Sequence, residues 1–254
     1  MKKQTLPDSK SKRTRKIWLI VSLSVILTVV LLFSVCLVFL LDCYQANKDA
    51  IEAFSTPQEI SYTTDGAYTV FEPEGATVGF IFYPGAKVEH EAYLPLMEAC
   101  ASEGILCALV EMPLYFPLIN PNAADGIQEA YPEIRHWYIG GHSLGGYSAT
   151  NYLSKHSDKF DGLILLASYS AVDLTDSELD ALTIYGTEDQ IMNRERYEEG
   201  LSLLPEGYTE LVIDGGCHAY FGMYDGQDGS HAKGISNEEQ IRLTAITIRK
   251  FVTG

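Results

Sequence analysis

The chain has 254 residues, a length that fits one domain of catalytic size plus an additional segment. Hydrophobic residues make up 46% of it and charged residues 20%, a composition that excludes a disordered or fibrous protein. Residues 1–16 hold seven basic side chains and one acidic one, whereas residues 42–254 hold 11 basic and 33 acidic ones. Because so acidic a body repels phosphate backbones, nucleic acid is not expected as a partner.

A long apolar run follows the basic N-terminus. Residues 17–41 carry no charged side chain, and as a helix they would extend about 37 Å, enough to cross a hydrocarbon core of about 30 Å. The basic cluster before the run predicts a cytoplasmic N-terminus and an extracytoplasmic body. A cleaved signal peptide is disfavoured because the run is long and ends at Asp42 without a small-x-small site. We therefore predict a basic cytoplasmic tail (residues 1–16) and a single-pass anchor in the cell membrane (residues 17–41).

The cysteines give no sign of a metal site. They fall at positions 36, 43, 100, 107 and 217, and no pair has metal-ligand spacing. An extracytoplasmic location permits disulfides, but the spacing favours no particular pair, so inert buried thiols are expected. No cofactor motif is found, and we expect none.

Beyond the anchor, residues 42–58 are predicted to form a polar, partly helical linker, and strands then alternate with helices. Apolar or alternating runs predict strands at residues 59–62, 68–71, 78–83, 105–110, 136–139, 163–167, 182–185 and 210–213. Helical spacing predicts helices at residues 92–102, 123–130, 144–153, 193–203 and 237–251.

This alternation predicts an α/β fold with a mostly parallel central sheet and helices on both faces. Asp65 and Gly66 separate the first two strands and indicate a hairpin, which adds an antiparallel edge. In such sheets ligands bind beyond the carboxyl ends of the strands. The residues that follow each strand are therefore the candidates for chemistry.

The strongest chemical signal is Gly-His-Ser-Leu-Gly-Gly at residues 141–146, between a predicted strand and a predicted helix. It matches the Gly-x-Ser-x-Gly pattern, in which a tight turn excludes flanking side chains and forces the serine hydroxyl outward. The N-terminus of the following helix offers free N–H groups to a developing negative charge. This pattern identifies Ser143 as the candidate nucleophile, with a glycine turn carrying an idle serine as the alternative.

A serine hydroxyl needs a base, and the base needs an acid that orients it. His218 is the candidate base because it lies five residues beyond the last predicted strand. Asp189 follows the preceding strand and is the candidate acid. The chain order is Ser143, Asp189, His218. This serine–acid–histidine order is the one expected where the nucleophile lies in a turn between a strand and a helix. The alternatives are His231 for the base, and Glu188 and Asp173 for the acid.

An oxyanion requires two pre-aimed N–H donors. The backbone N–H of Leu144, directly after the candidate nucleophile, is the first. The second is expected in the loop after the strand at residues 78–83, where Ala86 is the candidate and Lys87 the alternative.

Together these stretches resemble the α/β-hydrolase superfamily, and more narrowly bacterial serine hydrolases of the dienelactone-hydrolase-like type. The resemblance covers about residues 59–253. It rests on Tyr-Pro-Gly-Ala-Lys-Val at 83–88, the motif at 141–146, Tyr-Gly-Thr-Glu-Asp at 185–189 and Gly-Gly-Cys-His at 215–218. It implies a hydrolase domain at residues 59–254 with a metal-free Ser–Asp–His triad. The chain departs from many members in having Tyr-Pro-Gly where they have His-Gly before the oxyanion donor.

The function expected from these observations is that of a membrane-anchored serine hydrolase. It would cleave a carboxylic ester, thioester or lactone through an acyl-enzyme on Ser143. Only 46 positions separate Ser143 from Asp189, so no cap domain fits there, and an open site for a small acyl substrate is expected. An acyltransferase with the same triad and a non-catalytic binding domain of the same fold are the alternatives.

Overall fold

The computed structural model describes residues 9–58 and 60–254. Residues 1–8 of the predicted basic tail and Glu59, the first residue of a predicted strand, lie outside the described residues. The chain divides into two compact units, one that ends at Asp42 and one that comprises Cys43–Gly254.

The first unit contains one long helix, α1 (Ser9–Leu41). Its stretch Arg13–Phe39 is long and apolar enough to cross a membrane, and it is the one such stretch in the part of the chain that the structure describes. Residues 17–41 contain neither glycine nor proline, so nothing in the sequence interrupts the helix.

The second unit is built on a sheet of eight strands. They are β1 (Tyr62–Asp65), β2 (Tyr68–Phe71), β3 (Val78–Tyr83), β4 (Leu106–Val110), β5 (His136–His142), β6 (Gly162–Leu166), β7 (Asp180–Gly186) and β8 (Thr209–Ile213). Their spatial order is β1-β2-β4-β3-β5-β6-β7-β8. The strands from β3 to β8 pair in parallel, and β1 and β2 form an antiparallel edge next to β4.

Six helices accompany the sheet in the described residues of this unit. They are α2 (Lys48–Ala53), α3 (Leu94–Ser102), α4 (Ile127–Ala130), α5 (Leu144–Leu153), α6 (Arg194–Leu201) and α7 (Asn237–Thr253). The central strand β3 sends Phe80 and Phe82 into the apolar cluster that contains buried residues of α3 and α7. It sends Ile81 and Tyr83 into a second cluster, which contains residues of α5. Because neighbouring strand residues face opposite ways, the two clusters cover opposite faces of the sheet.

These features confirm the predicted α/β fold with a mostly parallel sheet and helices on both faces. Residues 167–179, which connect β6 to β7, contain no helix, so no cap domain is inserted there. The predicted linker, residues 42–58, contains α2, and from Cys43 onward it belongs to the second compact unit.

Two predicted elements differ from the structure for local backbone reasons. Residues 60 and 61 of the first predicted strand are not in a strand, and β1 extends from Tyr62 to Asp65, because Gly66 (φ 62°) forms a tight turn that pairs Asp65 with Tyr68 and fixes the register. The predicted helix at residues 123–130 is wrong over its first half. Gly126 adopts φ 83°, a left-handed conformation that interrupts a helix, so α4 begins only after it.

Two isoleucines of α7 provide a direct test of this packing. Ile248 is fully buried against the sheet, whereas Ile246 on the same helix is 41% exposed. Replacing Ile248 with alanine should lower the free energy of unfolding by about 2–5 kcal/mol, because it leaves a cavity in the core. Ile246→Ala should cost less than about 1 kcal/mol. Thermal or urea unfolding of the two variants measures the difference, and equal losses would contradict this placement of α7.

Candidate active site

Ser143 occupies a strained turn between β5 and α5. Its backbone angles are φ 53° and ψ −125°, a conformation that costs free energy for a residue other than glycine. A Cβ atom on Gly141 or Gly145 would overlap the carbonyl oxygen of Tyr83, at the end of β3. The glycines of the motif are therefore required by the close approach of two backbone segments, as the tight turn of the sequence motif predicts.

The Ser143 hydroxyl is not used to cap the helix that follows. Ser143 is the N-cap residue of α5, but its side chain makes no cap hydrogen bond. The turn is held instead through its backbone. Ser143 N donates to Leu166 O at 2.9 Å, and Ser143 O accepts from Ser168 Oγ at 2.7 Å. Both partners come from the end of β6. Ser168 was missed by sequence reasoning, although a polar residue just beyond a parallel strand was a usable signal.

His218 and Asp189 form a buried pair. His218 Nδ1 lies 2.8 Å from Asp189 Oδ2, and the two residues are only 1% and 6% exposed. Asp189 Oδ1 accepts hydrogen bonds from the N–H groups of Ile191 and Met192, each at 2.9 Å. Burial alone would raise the pKa of Asp189, but the hydrogen bond and charge of His218 and these backbone N–H groups outweigh it and lower the pKa.

This pairing orients the imidazole of His218. An ionised carboxylate can only accept a hydrogen bond, so His218 Nδ1 carries a proton and donates it to Asp189. Nε2 has no hydrogen-bond partner among the described residues. His218 also lines the same cavity as Ser143. The geometry thus holds His218 through Nδ1 and leaves Nε2 without a partner, in a residue that lines the same cavity as the serine.

The cavity at Ser143 has a volume of about 410 Å³, which lies in the range of small-molecule sites. Apart from Ser143 and His218, it is lined by Leu118, Leu144, Tyr147, Ala167, Ser168, Tyr169, Ile191, Met192, Asn193 and Arg196. Apolar and polar side chains share this lining almost equally, and Arg196 supplies a cationic group. The cavity therefore suits a compact, partly apolar ligand.

Only one of the two candidate oxyanion donors lines the cavity at Ser143. Leu144 lines the cavity at the first position of α5, where an N–H has no acceptor within the helix. Ala86 follows the end of β3 but is not one of the residues that line the cavity. The alternative donor, Lys87, uses its N–H to donate to Tyr115 O at 2.7 Å. That N–H is therefore not available to a ligand.

The alternative site residues lie elsewhere. Glu188 forms an ion pair with Lys233. Asp173 accepts hydrogen bonds from the backbone and side chain of Thr175. His231 lines a different cavity. None of the three alternatives lines the cavity at Ser143. Within the described residues, no cluster of three or more His, Cys, Asp or Glu side chains is placed to hold a metal ion.

A second histidine, His142, packs against His218. The two ring centroids are 4.5 Å apart. His142 Nδ1 lies 2.8 Å from the hydroxyl of Tyr93, and that hydroxyl also accepts from Gly85 N at 3.1 Å. Burial, and next the proximity of His218, hold the pKa of His142 well below its usual range. Burial likewise raises the pKa of Tyr93, which stays protonated and donates to His142. Sequence reasoning missed the role of both residues, because neither follows a strand in a recognisable motif.

The lowered pKa of Asp189 predicts a pH-dependent effect of Asp189→Asn. In the folded chain the ionised carboxylate contributes stability above the ordinary Asp pKa of about 4, and this contribution is lost as the pH falls through the lowered value. At pH 7 the variant should be less stable by about 1–3 kcal/mol, because the charged hydrogen bonds are lost. Urea unfolding from pH 7 to pH 3 measures the difference in free energy of unfolding between the wild type and the variant, which should shrink as the pH falls. A difference that stays constant with pH would show that ionisation of Asp189 does not cause it.

Comparison with known proteins places this fold and site in context. The family model described as "Alpha/beta hydrolase family" matches residues 79–242. No curated protein matches the sequence. Among solved structures, the crystal structure of TT1662 from Thermus thermophilus is similar with a TM-score of 0.56. It is 14% identical in sequence, and the match covers 78% of this chain and 100% of that one.

At this level of identity, the likeness to TT1662 bears on the fold alone. The family model, by contrast, matches well over half of the chain and includes β3 to β8, Ser143, Asp189 and His218. The activity typical of that family is hydrolysis. The chain belongs to the alpha/beta hydrolase family.

Proposed function

We propose that this chain is a serine hydrolase that cleaves a carboxylic ester, thioester or lactone, with Ser143 as nucleophile, His218 as base and Asp189 as the acid that orients it. One observation carries the proposal. Ser143, whose hydroxyl makes no cap hydrogen bond, and His218 line one cavity. The buried carboxylate of Asp189 holds His218 through Nδ1 and leaves Nε2 without a hydrogen-bond partner. His142 Nε2 is also without a partner, but His142 does not line this cavity and is not held by a carboxylate.

The chemistry proceeds in two halves. Ser143 Oγ attacks the acyl carbon while His218 Nε2 takes the hydroxyl proton, and the negative charge collects on the carbonyl oxygen. The N–H of Leu144 and a second N–H from the loop after β3, with Ala86 as the candidate, stabilise that charge. The C–O or C–S bond then breaks, and the leaving group takes the proton from His218. In the second half, water attacks the acyl-enzyme by the same route, and the carboxylic acid is released.

The cavity indicates the size of the substrate. Its volume of about 410 Å³ and the absence of an inserted cap between β6 and β7 favour a compact acyl group. The apolar side chains of Leu118, Ile191 and Met192 would bury such a group. Because no cap is inserted between β6 and β7, water can reach the acyl-enzyme and release the acid.

Membrane attachment is the second part of the proposal. We propose that α1 crosses the cell membrane once, with the N-terminus in the cytoplasm and the hydrolase unit outside. The support is the apolar stretch Arg13–Phe39 together with seven basic side chains among residues 1–16. The substrate would then be met outside the cytoplasm.

Labelling with a fluorophosphonate tests the nucleophile. The full chain in detergent should be labelled on one serine, and Ser143→Ala should abolish the label because the probe reacts only with an activated hydroxyl. His218→Ala should slow labelling by at least about 100-fold, because the base is lost. Ser154→Ala is the control, since Ser154 is an exposed serine outside the cavity at Ser143 and its loss should leave the label unchanged. Mass spectrometry identifies the modified residue.

Two outcomes would contradict the proposal. Label that persists in Ser143→Ala would place the nucleophile at another residue, and a folded wild type that does not react would favour a binding domain.

A membrane-impermeant form of the probe extends the test to orientation. It should label intact cells as fully as permeabilised ones, and label that appears only after permeabilisation would reverse the proposed orientation.

A further inference from the structure

Residues 44–47, here called the bridging segment, are hydrogen-bonded to the loop that follows β3. Tyr44 N donates to Lys87 O at 2.6 Å, and Tyr44 O accepts from Glu89 N at 3.1 Å, so Tyr44 pairs in parallel with this loop. Ala46 N donates to the carboxylate of Glu89 at 2.9 Å. The backbone of the segment thus bonds both the backbone of the loop and the side chain of Glu89.

The same segment is bound to the loop that follows β8. Asn47 N donates to Met223 O at 2.9 Å, and Ala46 pairs in an antiparallel bridge with Tyr224. The side-chain amide of Asn47 donates to Asp225 Oδ2 at 2.7 Å. Four consecutive residues therefore connect two loops that are far apart in the sequence.

These are the two loops on which the proposed chemistry depends. The loop after β3 contains Ala86, the candidate second oxyanion donor, one residue before Lys87. The loop after β8 contains His218, the candidate base, five residues before Met223. None of residues 44–47 lines the cavity at Ser143, so the bridging segment does not touch the substrate.

A chain of aromatic rings continues from the segment to the base. The ring of Tyr44 lies 5.9 Å from that of Tyr224, and Tyr224 lies 6.4 Å from Tyr93. Tyr93 lies 5.7 Å from His142, whose ring packs on His218 at 4.5 Å. All of these residues except Tyr44 are buried. Tyr93 also holds Gly85 N, so the rings couple the two loops from inside the domain.

The loop after β3 requires such support because its backbone is strained. Lys87 has φ 61°, and Tyr115, which accepts its N–H, has φ 55°. Each conformation costs free energy for a residue other than glycine and persists only where surrounding contacts fix it. The hydrogen bond from Tyr44 N to Lys87 O supplies one such contact at the strained residue itself.

We propose that the bridging segment is a positioning element for catalysis, which holds the oxyanion loop and the base loop at their working separation. The proposal rests on the serine-hydrolase function proposed above. It makes the stretch that directly follows the anchor helix a part of the active-site scaffold. Small errors in the placement of catalytic groups cost large factors in rate, so loosening the segment should lower turnover more than substrate affinity.

Asn47→Asp tests the contact with the base loop in the full chain. The new carboxylate still caps α2, as the Asn47 side chain does through Ala50 N, but it loses the donor to Asp225 and repels it. With p-nitrophenyl acetate, kcat should fall by at least about tenfold, with KM within about twofold. Adding Asp225→Asn restores a donor and should restore kcat, an effect that a general loss of folding would not allow.

Glu89→Ala tests the contact with the oxyanion loop, because it removes the acceptor for Ala46 N. It should lower kcat in the same way, whereas Glu89→Gln keeps an acceptor oxygen and should retain most of the activity. Thr56→Val is the matched control. It removes a hydrogen bond from the same N-terminal stretch to Glu98 on α3, away from both loops, and should leave kcat unchanged. Hydrogen exchange of residues 84–89 and 218–225 should accelerate in Asn47→Asp and Glu89→Ala but not in Thr56→Val.

The outcomes separate this inference from the proposed function. A wild type that reacts with the fluorophosphonate, together with variants that match its kcat and exchange rates, would overturn the positioning role alone. Lower melting temperatures with unchanged kcat would reduce the bridging segment to a structural brace and also overturn it. An unreactive wild type would overturn the proposed function and this inference with it.

Discussion

The close approach of three backbone segments at Ser143 is the constraint on which the rest of the site depends. The end of β5, the start of α5 and the end of β3 meet so tightly that Gly141 and Gly145 have no room for a side chain. This contact forces Ser143 into its strained conformation and brings Leu144 N–H to the cavity. It also brings the end of β3 against the turn that carries the serine. The contact that packs β3 against the turn after β5 therefore also sets the conformation of Ser143.

The electrostatic organisation follows from burial of the groups behind the serine. Asp189 remains ionised because hydrogen bonds outweigh its desolvation, and it fixes the tautomer of His218. His142, buried beside it, remains neutral and adds no competing positive charge. Its proton then lies on Nε2, since Nδ1 accepts from Tyr93. The site thus combines the buried charge of Asp189 with a neutral His142 beside His218, the candidate base.

Local patterns in the sequence were sufficient for the fold. Buried apolar runs and glycine turns predicted seven of the eight strands, and the errors arose at the exposed strand β1 and at Gly126, where a left-handed glycine overrode helical spacing. The motif at residues 141–146, and the positions of Asp189 and His218 after strands, likewise predicted residues that the structure brings together. These predictions worked because each depends on a short stretch of chain and on one general rule about parallel sheets.

What the sequence did not predict depends on contacts between distant stretches. Nothing in the residues around Tyr93 indicates that its hydroxyl connects Gly85 to His142. A polar stretch after an apolar helix is typical of a linker. Only the structure shows that Tyr44 and Asn47 are hydrogen-bonded to two separate loops. The same limit applies to Ala86, whose role depends on how the loop after β3 is held rather than on any motif of its own.

Trapping the acyl-enzyme tests the central claim, covalent catalysis by Ser143, most directly. The full chain would be mixed with p-nitrophenyl acetate, quenched in acid within the first turnover, digested and mapped by mass spectrometry. The account predicts a burst of p-nitrophenol that is stoichiometric with the protein, and one acetyl group on Ser143. Turnover with no acetylated peptide, or with the acetyl group on another residue, would contradict it.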